Sequence, residues 1–198
     1  LKTEGYKESK LPAFKLLSLL FILAACTQNY QPKPTGYMRI GLPQRLYSTL
    51  NSSCPYNFQI NNAAQWVQKN DCWANIHYPD LRADIQLTYK HVTSPDELDK
   101  ILNDAQDLAY KHSVKAEGIG EKLYINDEQN VYGIFYLVAG NAASSAQFYM
   151  TDSTNHFLRG VLYFYSQPNA DSLKPAALFM QSEMVHLVET LQWKNSLP

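Results

Sequence analysis

Alternating apolar and polar positions divide the chain into short extended runs and two helical ones. Residues 37–42 (Tyr-Met-Arg-Ile-Gly-Leu) alternate enough for a first strand, which Pro43 ends. Tyr56, Phe58 and Ile60 predict a short strand before Asn61-Asn62. Residues 73–78 are closed by Pro79, and residues 83–89 place Ile85, Leu87 and Tyr89 on one face, so the two predict a hairpin through Pro79-Asp80. Ser94 as cap, Pro95 in the first helical position and Glu97 in capping-box spacing start a helix. Leu98, Ile101, Leu102, Ala105, Leu108 and Ala109 form its apolar stripe, which must lie on a sheet. Gly118 and Gly120 then break the pattern, and strands are predicted at 121–126, 131–139, 146–151 and 157–165. The second of these is apolar on both alternations, the mark of a central strand covered on both faces. A last helix from about Ser172 to Trp193 buries Ala177, Met180, Met184, Leu187, Val188 and Leu191. This order predicts an α+β fold, a largely antiparallel sheet with a helix packed on each face.

A different pattern precedes these elements. Lys2, Lys7, Lys10 and Lys15 lead into the apolar run 16–25, broken only by Ser18, and then Cys26. That is the layout of a secretory leader, and the run is about half the roughly 20 apolar residues that a stable membrane span needs. Leu23-Ala24-Ala25-Cys26 resembles the bacterial lipobox, which predicts removal of residues 1–25 and acylation of Cys26. Residues 27–36 are polar and proline-bearing. The expected organisation is therefore a leader (1–25), a lipidated tether (26–36) and a single globular domain (37–198). No Asp follows Cys26 and no acidic cluster follows it. Both absences point to the periplasmic face of the outer membrane, with the inner membrane as the other anchorage.

Charge adds an exclusion. With 17 Lys+Arg against 18 Asp+Glu the net charge is -1, which gives no electrostatic reason to expect a nucleic-acid partner. Without the leader, 13 basic and 16 acidic side chains leave a mildly acidic domain. Of 14 tyrosines only Tyr6 lies in the leader, and tyrosine favours strands and half-wet surfaces. Once Cys26 carries lipid, Cys54 and Cys72 remain. In an oxidising compartment they suggest a disulfide worth about 3 kcal/mol in the chain-entropy picture; two buried thiols or a metal site are the alternatives. No second Cys or His stands at ligand spacing from either cysteine. His77, His91, His112, His156 and His186 also lack metal-motif spacing, so neither metal nor cofactor is expected. His77 and His112 are placed to reach a common patch, and His186 reads as a boundary histidine.

The densest polar stretches are 140–147 and 151–160. Ser144, Ser145, Asp152 and His156 raise a nucleophilic triad, but no Gly-x-Ser-x-Gly elbow is present. Asn141, Ser144 and Asp152 are equally explained as residues that satisfy turn backbone groups. Asp152-Ser153-Thr154 and Asp171-Ser172-Leu173 resemble a short bacterial O-glycosylation acceptor, although Ser172 also suits a helix cap.

Larger motifs carry a resemblance. These are Pro32-Lys33-Pro34-x-Gly36-Tyr37-x-Arg39-Ile40, Cys54-Pro55-Tyr56-x-Phe58, Cys72-Trp73-x-Asn75-Ile76, Tyr110-Lys111-His112, Val131-Tyr132-Gly133, Gly140-Asn141-Ala142-Ala143-Ser144-Ser145-x-Gln147-Phe148 and Thr151-Asp152-Ser153-x-x-His156-Phe157-Leu158-Arg159-Gly160. In collinear order they resemble the GldD family of gliding-motility lipoproteins of Bacteroidetes. The resemblance implies a membrane-anchored envelope component linked to gliding and to type IX secretion, with envelope proteins as partners and no established enzymatic activity. The strand and helix order is also similar to the Mog1/PsbP-like α/β/α sandwich. On this reading Asn141, Ser144, Ser145, Gln147, Asp152, His156, Phe157 and Arg159 form one exposed interaction patch. The competing reading is a glycan or cell-wall binding module, or a hydrolase, that uses Asp152 and His156.

Overall fold

Hydrogen-bonded pairing gathers seven strands into one antiparallel sheet, described by a computed structural model over residues 40–112, 116–167 and 169–194. The predicted leader, Cys26 and the tether lie outside the described residues. The strands in chain order are β1 (Tyr47–Thr49), β2 (Tyr56–Asn57), β3 (Gln59–Asn61), β4 (Gln65–Gln68), β5 (Ala74–Tyr78) and β6 (Ala83–His91). Helix α1 (Pro95–His112) follows, then β7 (Ala116–Asn126), β8 (Val131–Gly140), β9 (Ala146–Thr151) and β10 (His156–Phe164). Helix α2 (Ala170–Glu189) and β11 (Gln192–Trp193) close the series. The sheet order is β4-β5-β6-β10-β9-β8-β7, and β1 with β3 and β2 with β11 form two small antiparallel pairs.

Residues opposite each other in an antiparallel ladder share a face, so the pairings sort the sheet into two surfaces. Leu158 faces Met150 and Tyr89, and Gly160 faces Phe148 and Leu87. These apolar residues belong to the main core, which α2 covers with Phe179, Met180, Met184, Leu187 and Val188. The other alternation carries Phe157 and Tyr149, which pack with Val92, Leu98, Ile101 and Ala105 of α1 and its approach. The helices therefore lie on opposite faces, as the stripes require. Leu158, Leu162, Met150, Met180 and Met184 are fully buried, each worth about 1.5–3 kcal/mol of transfer free energy. Gly160 makes room in this packing, because a Cβ there would stand 2.4 Å from the Phe148 ring.

Local signals explain the element ends. Ser94 Oγ accepts the Glu97 N–H at 3.3 Å, while the Glu97 carboxylate accepts from the Thr93 N–H and hydroxyl, one residue earlier than a strict capping box. The predicted hairpin is β5–β6, turned by Pro79–Leu81 with Arg82 left-handed at φ 48°. Cys54 and Cys72 are bridged, with Cα atoms 5.4 Å apart.

Several expectations are corrected. Residues 40–42 are not a strand, and 37–39 lie outside the described residues; the first strand is β1, after Pro43. Gly118 and Gly120 do not break the chain but sit inside β7, an edge strand whose pairing with β8 has a register irregularity between Ala116 and Gly118. Strand β8 is second from the edge, and the middle place belongs to β10. Helix α2 starts at Ala170 and is capped by Asn169, whose side chain accepts the Ser172 N–H, so Ser172 is not its cap. It ends before Thr190, whose hydroxyl donates to the His186 carbonyl. Trp193 is then strand, not helix.

Candidate functional site

Strand β9 runs between the two polar loops, so the loops leave its opposite ends. Six residues at about 3.3 Å each hold them roughly 20 Å apart. They do not form one patch, and the eight residues expected there divide among three places.

At the first end, Gly140 (φ 85°) opens the loop that leads to β9. Asn141 Oδ1 accepts the Ala170 N–H at 2.8 Å and ties the loop to the start of α2. Ser144 is buried and donates to the Ala146 carbonyl, whereas Ser145 offers its carbonyl to Val138 and to the Gln181 amide. Between loop and helix lies a cavity of about 410 Å³ whose lining includes Leu137, Ala142, Phe164, Ala177 and the 56% exposed Leu178.

At the other end, Asp152 organises the turn into β10. Its Oδ1 accepts the backbone N–H groups of Thr154, Asn155 and His156 at 2.8–3.0 Å, and its Oδ2 accepts the Thr154 hydroxyl. Burial raises the Asp152 pKa, but these donors outweigh it and hold the group below the ordinary aspartate value. His156 is buried, shares a hydrogen bond between Nδ1 and the Tyr89 hydroxyl at 2.8 Å and stacks on Trp193. Desolvation lowers its pKa, opposed by Asp152 and reinforced by His91. Asp152 and His156 therefore line one cleft of about 640 Å³, but the carboxylate is spent on its own turn. It orients no imidazole, and Ser144 and Ser145 stand at the far end of β9, so the triad does not assemble. Trp193 reaches this cleft through the pairing of β11 with β2, which a helix continued to that residue would not allow.

The third place is the sheet face under α1. Arg159 donates to Gln147 Oε1 at 2.8 Å, next to the buried Phe157. Burial lowers the Arg159 pKa, with Tyr163 opposing. The Gln147 amide nitrogen is buried there without a hydrogen-bond partner among the described residues. Further along this face is a cluster that the sequence did not reveal. The buried Asp84 carboxylate accepts from Asn75 at 2.9 Å, from His77 Nδ1 at 2.6 Å and from the Tyr165 hydroxyl. Asn75 and His77 alternate on β5 opposite Gln86 and Asp84 of β6, so pairing the hairpin was the signal that could have found them. His77 is engaged by Asp84; the side chain of His112 lies outside what is described. A second buried carboxylate, Glu183 on α2, accepts from Tyr47 at 2.8 Å and Tyr78 at 3.0 Å. Burial and this carboxylate push the Tyr47 pKa up to about 12 and the Tyr78 pKa higher still.

Among the described residues no three His, Cys, Asp or Glu side chains gather to hold a metal ion, and no helix is long and apolar enough to cross a membrane. The sequence matches the family described as gliding motility lipoprotein GldD over residues 27–193. The chain belongs to that family. The match spans every strand and helix from β1 to β11, so the GldD family assignment covers the loops and the sheet face alike. GldD membership makes the protein a lipoprotein of the cell envelope with a part in gliding motility. No curated protein matches the chain.

Proposed function

We propose that the protein is an acylated envelope component that serves gliding by binding other envelope proteins, and that those partners include the type IX secretion machinery. The GldD family match over residues 27–193 is the observation that carries this reading. In it, residues 1–25 are a leader, Cys26 bears the acyl chains, 26–36 is a tether and 37–198 is the working domain, held at the periplasmic face of the outer membrane. The docking surface is the cavity between the 140–145 loop and α2. Its apolar lining and the exposed Leu178 beside it suit a side chain from a partner. Phe157 is buried and Arg159 half-buried, which makes both poor contact residues.

Two substitutions test the proposal in cells. Cys26→Ser is expected to move the protein out of the membrane fraction and to stop colony spreading. Leu178→Arg is expected to impair spreading and secretion at an unchanged protein level, and to abolish crosslinks from a photoreactive residue at Ala143. Normal spreading and secretion by a Leu178→Arg and Ala143→Arg double variant would overturn the docking surface. Normal anchoring of Cys26→Ser would overturn the acylation.

A further inference from the structure

The cleft at the Asp152 turn collects polar side chains that the packing of the domain leaves unused. We propose that it binds a neutral glycan, a function independent of the docking surface on α2. Its volume of about 640 Å³ lies within the range of ligand sites.

Three features set the ligand class. The first is an aromatic wall: Trp193 stacks on His156 with ring centroids 5.1 Å apart and 9° between planes, and its indole N–H is fixed on the Asn130 carbonyl at 3.0 Å. A fixed aromatic body suits the C–H face of a sugar ring. The second is a supply of free donors and acceptors. His156 Nδ1 is engaged by the Tyr89 hydroxyl, and its Nε2, a donor or an acceptor according to the tautomer, makes no hydrogen bond among the described residues. The side chains of Glu128 and Gln129 on the β7–β8 turn and the side-chain Oδ1 of Asn155 also line the cleft without partners among the described residues. Carboxylate and amide groups match pairs of hydroxyls, each of which both donates and accepts. The third is that the lining holds no Lys or Arg among the described residues, which disfavours phosphorylated or sulfated ligands. A metal ion is disfavoured as well, because the oxygens of Asp152 already accept four hydrogen bonds and only Glu128 offers a free carboxylate.

Calorimetric titration of the full chain in detergent micelles tests the proposal. The probes are neutral tetrasaccharides of glucose, mannose, galactose and N-acetylglucosamine. Saturable binding of at least one is expected, with a Kd of about 1 mM or tighter. Glu128→Gln with Asn155→Ala should weaken it by about tenfold or more, an effect of about 1.4 kcal/mol. Both positions are exposed, and the Asn155 backbone bond to Asp152 does not depend on its side chain, so this variant should keep its circular dichroism. Trp193→Ala removes the wall and should abolish binding. No saturable heat from any probe at about 10 mM, or undiminished affinity in the folded double variant, would overturn the site.

Discussion

Single residues in this protein are committed more completely than their types suggest. Asp152 looks like a catalytic carboxylate in sequence, yet it accepts three backbone N–H groups and a hydroxyl, an Asx-type arrangement that fixes the entry to β10. Gly160 is committed by space. Adding one methyl at this position meets Phe148, whose ring is buried and cannot swing away. Gly160→Ala should therefore destabilise the domain by about 1–3 kcal/mol, the usual range for overpacking, and lower its melting temperature. Gly118→Ala, where a Cβ meets nothing within 4 Å, is the control and should melt close to the parent. Equal melting temperatures for the two variants would contradict this account of the β9–β10 packing.

At the scale of elements, local chemistry was readable and partner choice was not. The β5–β6 hairpin, α1 with its Ser94 cap and the strand order from β8 to β10 follow from turn residues and periodicity, which act within a few positions. The C-terminal boundary of α2 was not readable, because Gln192 and Trp193 become strand only through pairing with Asn57 and Tyr56, more than a hundred residues earlier. The same limit hid Asp84, whose three donors come from β5 and from beyond β10. It also made the two polar loops look like neighbours, since sequence distance does not say which end of a strand a loop leaves. The disulfide is an element-scale device: Cys54 precedes β2, Cys72 precedes β5, and the Tyr56 hydroxyl donates to the Cys72 carbonyl at 2.7 Å. Cys54→Ala with Cys72→Ala should cost about 3 kcal/mol, read as a lower urea midpoint. An unchanged midpoint would show that the β2–β5 segment is held without the bridge.

For the whole molecule, stability should depend on pH at both limits. His156 is held neutral by burial, so its pKa in the folded state lies below 6.5. As pH falls through 6.5 the unfolded chain takes up a proton that the fold refuses, and the contribution present above that value is lost. Asp152, with its pKa lowered, adds stability present above its ordinary value of 3.8 and lost at more acid pH. At the alkaline limit, burial raises the pKa of Tyr47 and Tyr89 to about 12 from 10.0, so their contribution is complete below 10 and declines as pH rises towards 12. Urea midpoints measured across pH should show a plateau between about 6.5 and 10. A decline should begin below 6.5, and His156→Gln should reduce it; an identical acid limb in that variant would rule out His156 as its source.

The short ladder between β11 and β2 has a consequence for the order of assembly. Gln192 and Trp193 pair with Asn57 and Tyr56, and Lys194 bonds the Pro55 and Ser52 carbonyls. Strand β2 therefore waits for a partner made more than a hundred residues later, after both helices and every strand of the seven-stranded sheet. Until then Tyr56, wholly buried in the finished domain, remains uncovered along that edge. The β2 edge is therefore among the last parts of the described domain to close.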